Sequence, residues 1–563
     1  MNIVKEAHLG AGAYGDVYKT IDKNNRDHMV ALKAMKNDPT NNDIRDATIK
    51  ELINTQNLVH PNIIPVDPLV YNDGSRHAVY INDDKQRIEL SLEMMNGDIN
   101  SLKDEELTPE LLRKLVHDVT EGLYHMHSMG YTHNDLKPDN ILYKLEGGVY
   151  TFKIGDFGLS QYLGIPFPSK VENFLCTVIV KAPNSKNSSY YVSGNKYNYN
   201  SDMFSLGATM FWTCMRVHSI QWTNFRVSEK DVFVDIRRQN FLDQADKLKA
   251  MYGEDGYDFL VKCMAFKSRE RMSSRMALEH PYLRPLRGGA FGDLLAVIKG
   301  YGQPTVAEVT EGLYELEFLD DMYNCYKDRK VNLYIDFEYN DDLFPSHIRS
   351  VNDWLYTVNK TFKLNTLEAF LQTQLNFIHL LNRKKVGTDT LQLNAMCTFR
   401  LCHKLLSDFN YSGIEMESFM WVSSKQFTEK QIIDTETDIL RVFNGNITVT
   451  PVMCFLNYWY LKSVYTSEDS VPNVNVLTTS TAFMLVLLVT NNNDELQDVK
   501  LDDLAKYCVK KALIKEGHTK HSNVSLLGID SDLESTLERS ITKFCTTAES
   551  LELYDEIKKI IKC

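Results

Sequence analysis

The chain has 563 residues, 43% hydrophobic and 24% charged, ordinary values for globular protein and enough length for several domains. Its net charge of −13 argues against a general nucleic-acid binder or a protein of anionic membrane surfaces, both of which need a basic face. Ten cysteines without a CxxC pair argue against a disulfide framework or zinc site and for a reducing, intracellular setting. No cationic and then apolar leader opens the sequence. The longest apolar run, Ala482 to Val489, is far below the ~20 residues that span a bilayer, so no membrane partner is expected.

Residues 1–100 carry short β-like runs, such as "MVALKAM" and "RIELSLEM", with one helical stretch near 43–58. Residues 105–284 read as mostly helical, with an irregular stretch near 157–200. Glycine and proline across 285–312 mark a linker. From 313 onward the pattern is helical almost throughout, and 313–327 is amphipathic. A mixed domain therefore precedes an all-α region.

The first domain carries the chemistry. Gly10 to Val17, "GAGAYGDV", fits G-x-G-x-x-G-x-V. Gly10, Gly12 and Gly15 would let the backbone close over phosphates, and Val17 would cover an adenine. "VALK" follows and puts Ala31 and Lys33 on a strand, where an ammonium can hold phosphates. Its expected partner is Glu51, on the one helix of this region. Alone, Lys33 and Glu51 would read as a solvated surface pair; the order of the motifs argues otherwise. In "HNDLKPDN", Asp135 is suited to orient a substrate hydroxyl and accept its proton, and Lys137 to neutralise a transferring phosphoryl group. Asn140 and the Asp156 of "DFG" are suited to hold Mg2+. A loose transition state needs this division of labour, with cations around the phosphates of ATP and one carboxylate at the nucleophile.

With those motifs in order, residues 1–284 resemble a eukaryotic-type protein kinase. The resemblance implies an α+β two-lobed fold, with an N-lobe of about 1–95 and a C-lobe of about 96–284. Asp202 matches the family's helix-F aspartate, which ties down the catalytic loop, and "RERMSSRMALEHPYL" matches its closing pattern through Arg271 and His280. Asn184 replaces the glutamate of A-P-E, so the usual ion pair with Arg271 is missing. Arg45 to Glu51 and His60 to Ile63 resemble the signature helix of cyclin-dependent kinases and the H-P-N-I that follows it. That likeness implies Leu92 as gatekeeper, adenine contacts from the backbone of Glu93 and Met95, and an inhibitory tyrosine at Tyr14. Asn134, Gln161 and Lys50 stand where the family carries three arginines that clamp an activation-segment phosphothreonine. Counting back from Thr177, that threonine's slot falls on or near Glu172, which implies activity without an activating phosphate.

Residues 313–467 resemble the N-terminal helix and first cyclin box of a cyclin, through Trp354, "LQLNAMCTFRLCHK" and "TVTPVMCFL". Independently, Thr428 and Gln431 form a capping box, and Ile432, Ile439 and Phe443 fall on one helix face. Glu436 lies in that stripe and needs a partner, because a lone desolvated charge is costly. Cyclins grip the signature-helix region, here around Ile49, with a Lys–Glu pair, which makes Lys404 the candidate although it lies on the more polar side of its helix. Trp354 and Gln392 retain part of the surface that docks R-x-L substrates, while His347 and Ser350 argue against ordinary docking there. Residues 468–563 are expected to form a second cyclin-like helical repeat.

The resemblance as a whole implies a multidomain chain: a two-lobed kinase fold, a 285–312 linker and an all-α cyclin fold. It implies a serine/threonine kinase using ATP and Mg2+ on protein substrates, monomeric, and activated in cis by its own cyclin region. A linker of ~28 residues could reach ~90 Å and hold its partner near millimolar effective concentration. The alternatives are a pseudokinase–cyclin scaffold that docks or competes for another kinase, and a kinase with an unrelated helical domain.

Overall fold

The structure, a computed structural model, describes residues 3–11, 15–22, 25–36, 42–70, 76–82, 87–162, 199–215, 244–265, 271–283, 319–361, 367–406, 416–464, 474–490, 494–518, 524–546 and 551–562. They divide into two compact units. The first draws on Met1–Asp38, Ala47–Leu163 and Ala182–Tyr314, the second on Pro39–Asp46 and Glu315–Cys563. The stretch 285–312, expected as a linker, and Gly12, Tyr14, Glu172, Thr177 and Asn184 lie outside the described residues.

In the first unit, β1 (Ile3–Ala11), β2 (Gly15–Asp22) and β3 (Asn25–Lys36) precede helix α1 (Asn42–Asn57), then β4 (Val79–Asn82) and β5 (Arg87–Glu93). They form one antiparallel sheet in the order β1-β2-β3-β5-β4. Gly15 is required by space: a Cβ there would lie 2.5 Å from the Ala34 carbonyl oxygen. The rest of the unit is built on α2 (Pro109–Ser128), α3 (Tyr199–Met215), α4 (Ala245–Cys263) and the short α5 (Ser274–Leu278). Thr108 caps α2 by accepting from the Leu111 amide, and Pro109 opens the helix, where its missing N–H costs nothing.

One expectation is corrected here. The stretch read as helical contains a hairpin of β6 (Ile141–Glu146) and β7 (Val149–Ile154), paired in register from Ile141↔Ile154 to Glu146↔Val149. Its turn is Gly147–Gly148, with φ of 58° and 82°, the two positive φ angles a tight hairpin demands. Shorter strands pair as well: Gly97–Asp98 with β6, and Tyr131–Thr132 with Gln161–Tyr162.

The second unit is helical. Its helices are α6 (Leu319–Tyr326), α7 (Pro345–Thr361), α8 (Leu367–Leu381), α9 (Leu391–Leu406), α10 (Met416–Val422), α11 (Glu429–Val442) and α12 (Val452–Val464). Four more follow: α13 (Val474–Thr490), α14 (Leu501–Lys515), α15 (Ser531–Thr546) and α16 (Glu552–Ile561). Helix α9 packs against α7, α8 and α11, and 15 of its 16 residues are buried. Lys404 is therefore not on a solvated face, as its helical position suggested, but 3% exposed. Helix α13 plays the same part among α12, α14, α15 and α16. A helix apolar all round is the sequence signature of such a central position. A two-residue ladder joins Lys330–Val331 to Val499–Lys500. No helix of the described residues is long and apolar enough to cross a membrane. Seven of the described cysteines are free.

Candidate active site

Register sets up one wall of the site. Val17 lies opposite Lys33 across β2 and β3, and Leu92 opposite Ala31 across β3 and β5. Directly opposed residues in an antiparallel pair share a face, and so do residues two apart on one strand. Val17, Ala31, Lys33 and Leu92 thus project from the same side of the sheet. Lys33 reaches Glu51 of α1 in a close hydrogen-bonded ion pair, and its ammonium also donates to Asp156 at 3.2 Å. Burial pulls that ammonium down, but Glu51 and Asp156 outweigh it and hold it above its ordinary value. Burial likewise raises the Asp156 carboxyl, and Lys33 outweighs it, holding Asp156 below the usual carboxylate range. Asp156 sits at φ 64°, in the left-handed region, a backbone strain that functional positions often store.

The second wall is the segment between Tyr131–Thr132 and β6. Lys137 Nζ donates to Asp135 Oδ2 at 2.6 Å. Burial pulls Lys137 down, and the bond to Asp135 outweighs it, so the ammonium stays charged. Asn140 donates through Nδ2 to the Asp135 carbonyl at 2.8 Å and to Asp135 Oδ2 at 3.1 Å. Its own Oδ1 is thereby left to act as an acceptor or metal ligand. His133 Nε2–H donates to the Gly155 carbonyl at 3.1 Å, which leaves Nδ1 to accept the Asp135 amide at 3.2 Å. Asp202 accepts the amides of His133 (2.8 Å) and Asn134 (2.9 Å). The site residues read from the sequence thus fall into two hydrogen-bonded groups, Lys33 with Glu51 and Asp156, and Asp135 with Lys137 and Asn140. The His133 ring links the backbone of the two through Gly155 and Asp135.

Other candidates fall as follows. Glu93 ends β5 and Met95 follows it, and Met95 is buried. Two residues missed in the sequence brace this strand end: Lys153 pairs with the Glu93 carboxylate, and Lys144 donates to Glu93 (3.3 Å) and to the Met94 carbonyl (2.9 Å). Both are on the hairpin read as helix, so their alternation was not visible. Arg271, deprived of a glutamate at 184, is buried and donates to the carbonyls of Asn200 (2.8 Å) and Ala265 (3.1 Å). Gln161 is buried in a strand beside Thr132, and Lys50 and Ile49 are buried in α1.

Among the described residues no three His, Cys, Asp or Glu side chains cluster as a metal site. A pair such as Asn140 and Asp156 suits instead a hard ion that takes its remaining ligands from phosphate oxygens and water. Residues 3–283 match a family model described as the protein kinase domain. Residues 321–448 match a second, the cyclin N-terminal domain. This chain joins a protein kinase domain to a cyclin domain. The kinase domain implies ATP, a divalent metal ion and protein substrates.

The second compact unit, which contains the cyclin domain, holds a buried ion cluster. Glu436 of α11 is fully buried and is reached by Arg400 (2.7 Å) and Lys404 (3.1 Å) of α9 and by Arg45 (2.9 Å). Lys404 also lies 2.8 Å from Asp46. Burial would raise Glu436; Arg400, Lys404 and Arg45 outweigh it and hold the carboxyl well below its ordinary value. The Lys404–Glu436 pair was expected, whereas Arg400 and Arg45 were missed. Arg400 was findable, since residues i and i+4 on one helix meet the same neighbour. The capping box of Thr428 and Gln431 forms, with its two bonds at 3.3 and 2.9 Å. Trp354, half-buried on α7, lines a cavity of about 520 Å³ with Thr357, Val358, Trp421 and Val422. Gln392 is not among its lining residues, and the 64%-exposed Trp421 takes a place that the sequence reading did not foresee.

Proposed function

We propose that this chain is an ATP-dependent serine/threonine protein kinase of cyclin-dependent type, activated in cis by its own cyclin domain. The observation that carries the reading is the formed Lys33–Glu51 pair with Asp156 beside it. Protein kinases need that pair in place for transfer. Glu51 rides on α1, and the first turn of α1, Arg45 and Asp46, is ion-paired to Glu436 and Lys404 within the second unit. A helix fixed at its N-terminal turn holds its next turns in place, so the cluster supports cyclin-borne control of Glu51.

In this reading Lys33 grips phosphate oxygens, and Asn140 and Asp156 would hold Mg2+. Held there, such an ion would offset the negative charge of the phosphate groups. Asp135 orients a serine or threonine hydroxyl and accepts its proton, while Lys137, held against Asp135, neutralises charge on the group in transit. The Asn140 side chain holds the Asp135 carboxylate, and the His133 ring holds the Asp135 backbone amide. Glu172, on or near the phosphothreonine slot, would stand in for an activating phosphate.

Phosphate transfer from labelled ATP to a peptide library by the full chain tests this. Asp135→Asn is expected to abolish transfer, and Lys404→Glu or Glu436→Lys to lower it at least tenfold while ATP still binds. Transfer that survives both charge reversals undiminished would remove the cyclin from the mechanism. No transfer by the wild type, with cyclin-domain binding to another kinase, would favour the scaffold.

A further inference from the structure

Ser273 and Ser274 open helix α5 side by side, and they do different things. Ser273 is an ordinary N-cap, accepting the Met276 amide at 3.2 Å. Ser274 turns its hydroxyl inward to His127 Nδ1 at 2.8 Å, and neither side chain is exposed to solvent. His127, on α2, places Nε2 3.0 Å from Asp202 Oδ2. A carboxylate only accepts, so Nε2 carries the proton. In the neutral ring Nδ1 is then an acceptor, and the Ser274 hydroxyl is the group that donates to it. Asp202 passes the constraint on, because its two oxygens also accept the amides of His133 and Asn134. His133 in turn accepts the Asp135 amide. Hydrogen bonds therefore link α5, through His127 and Asp202, to the backbone of the loop that carries Asp135.

We infer that Ser274 is a positioning residue of the catalytic loop, acting through His127 and Asp202. The inference rests on the kinase reading above. Three acceptor positions on one carboxylate are filled by donors of fixed direction, and a buried ring is free to tilt unless both its nitrogens are held. Without the hydroxyl, Nδ1 loses the hydrogen bond from Ser274, and the buried ring gains room to rotate away from Asp202. The loop amides then lose the fixed orientation of the carboxylate that binds them. Misplacement on this scale acts on turnover rather than on nucleotide binding.

The full chain is compared with Ser274→Ala, Ser274→Cys and Ser274→Thr. Ala and the nearly isosteric Cys are expected to lower kcat about 5- to 20-fold with KM for ATP within twofold. Thr, which keeps the hydroxyl, is expected to stay within threefold of wild type. Amide exchange read by mass spectrometry should quicken at His133 and Asn134 in Ala and Cys and stay unchanged in α14. Wild-type kcat in Cys, or a Thr variant as slow as Cys despite an unaltered unfolding midpoint, overturns the inference. If Ala does not fold, Cys and Thr carry the comparison. If the wild type transfers no phosphate, the kinase reading fails by itself. The exchange arm then still decides whether Ser274 holds the loop.

Discussion

Asn134 occupies a backbone position that most residues avoid. Its φ is 65°, its amide donates to Asp202, and its side-chain Nδ2 donates to the Leu159 carbonyl at 3.1 Å. Asparagine tolerates the left-handed region better than other residues with a Cβ, so a position read from the sequence as a lost arginine is also one where asparagine is at ease. Asn134→Ala loses both the tolerated backbone and the bond and is expected to cost about 2 kcal/mol, whereas Asn134→Gly loses only the bond and costs about 1 kcal/mol. Urea midpoints of the two variants check the order. Equal costs in the two variants would mean that the side-chain bond, not the backbone, decides the residue. Asp135, Asn140 and Asp156 could be read from the sequence because their chemistry is tied to short, fixed spacings. The φ of Asn134 and the inward turn of Ser274 could not, since both depend on where Asp202 and His127 arrive from elsewhere in the chain.

At the scale of elements, the β6–β7 hairpin and the burial of Lys404 depart from the sequence pattern for separate physical reasons. The hairpin lies in a stretch that reads as mostly helical, yet Gly147 and Gly148 are the turn chemistry that a two-residue hairpin requires, so its signal is local and legible. The burial of Lys404 was not legible, because it depends on Glu436 and Asp46 reaching the same point from distant sequence. Periodicity sees one helix at a time. Helix contacts in the second unit hold a further carboxylate, Glu368 of α8, which accepts the Val452 and Met453 amides at the start of α12 at 2.9 and 3.0 Å. Burial pushes its carboxyl up to about 8, against the pull of those two amides. An acid whose folded value is raised binds more protons folded than unfolded between its ordinary value of 4.5 and about 8. Stability from this group is therefore full below pH 4.5 and falls as pH rises to about 8. Glu368→Gln keeps an acceptor and removes the titration. The difference in urea midpoint between variant and wild type is expected to move in the variant's favour from pH 5 to pH 8. A difference that stays flat over that range would mean the carboxyl is ionised in the fold.

At the scale of the whole chain, covalent fusion turns partner binding into an intramolecular event. With the proposed activation in cis, specific activity of the intact chain is expected to be independent of protein concentration. After cleavage at a protease site placed between residues 285 and 312, it is expected to fall on dilution below the affinity of the two pieces. Activity that survives cleavage at every dilution would mean that the kinase domain needs no cyclin. The order of the two domains was open to sequence reading because each carries its own local motifs. What ties the cyclin-bearing unit together was not, and the ladder of Lys330–Val331 with Val499–Lys500 is the clearest case. Lys330 also pairs with Asp498, 168 positions later. A ribosome adding roughly 5–20 residues per second needs on the order of ten seconds or more to deliver that second strand. Through that interval the nascent cyclin helices wait with one closing seam unmade, so a ribosome stalled, or a stop codon placed, between the kinase motifs and codon 499 would release a chain whose kinase motifs are all present but whose cyclin-bearing unit lacks that seam.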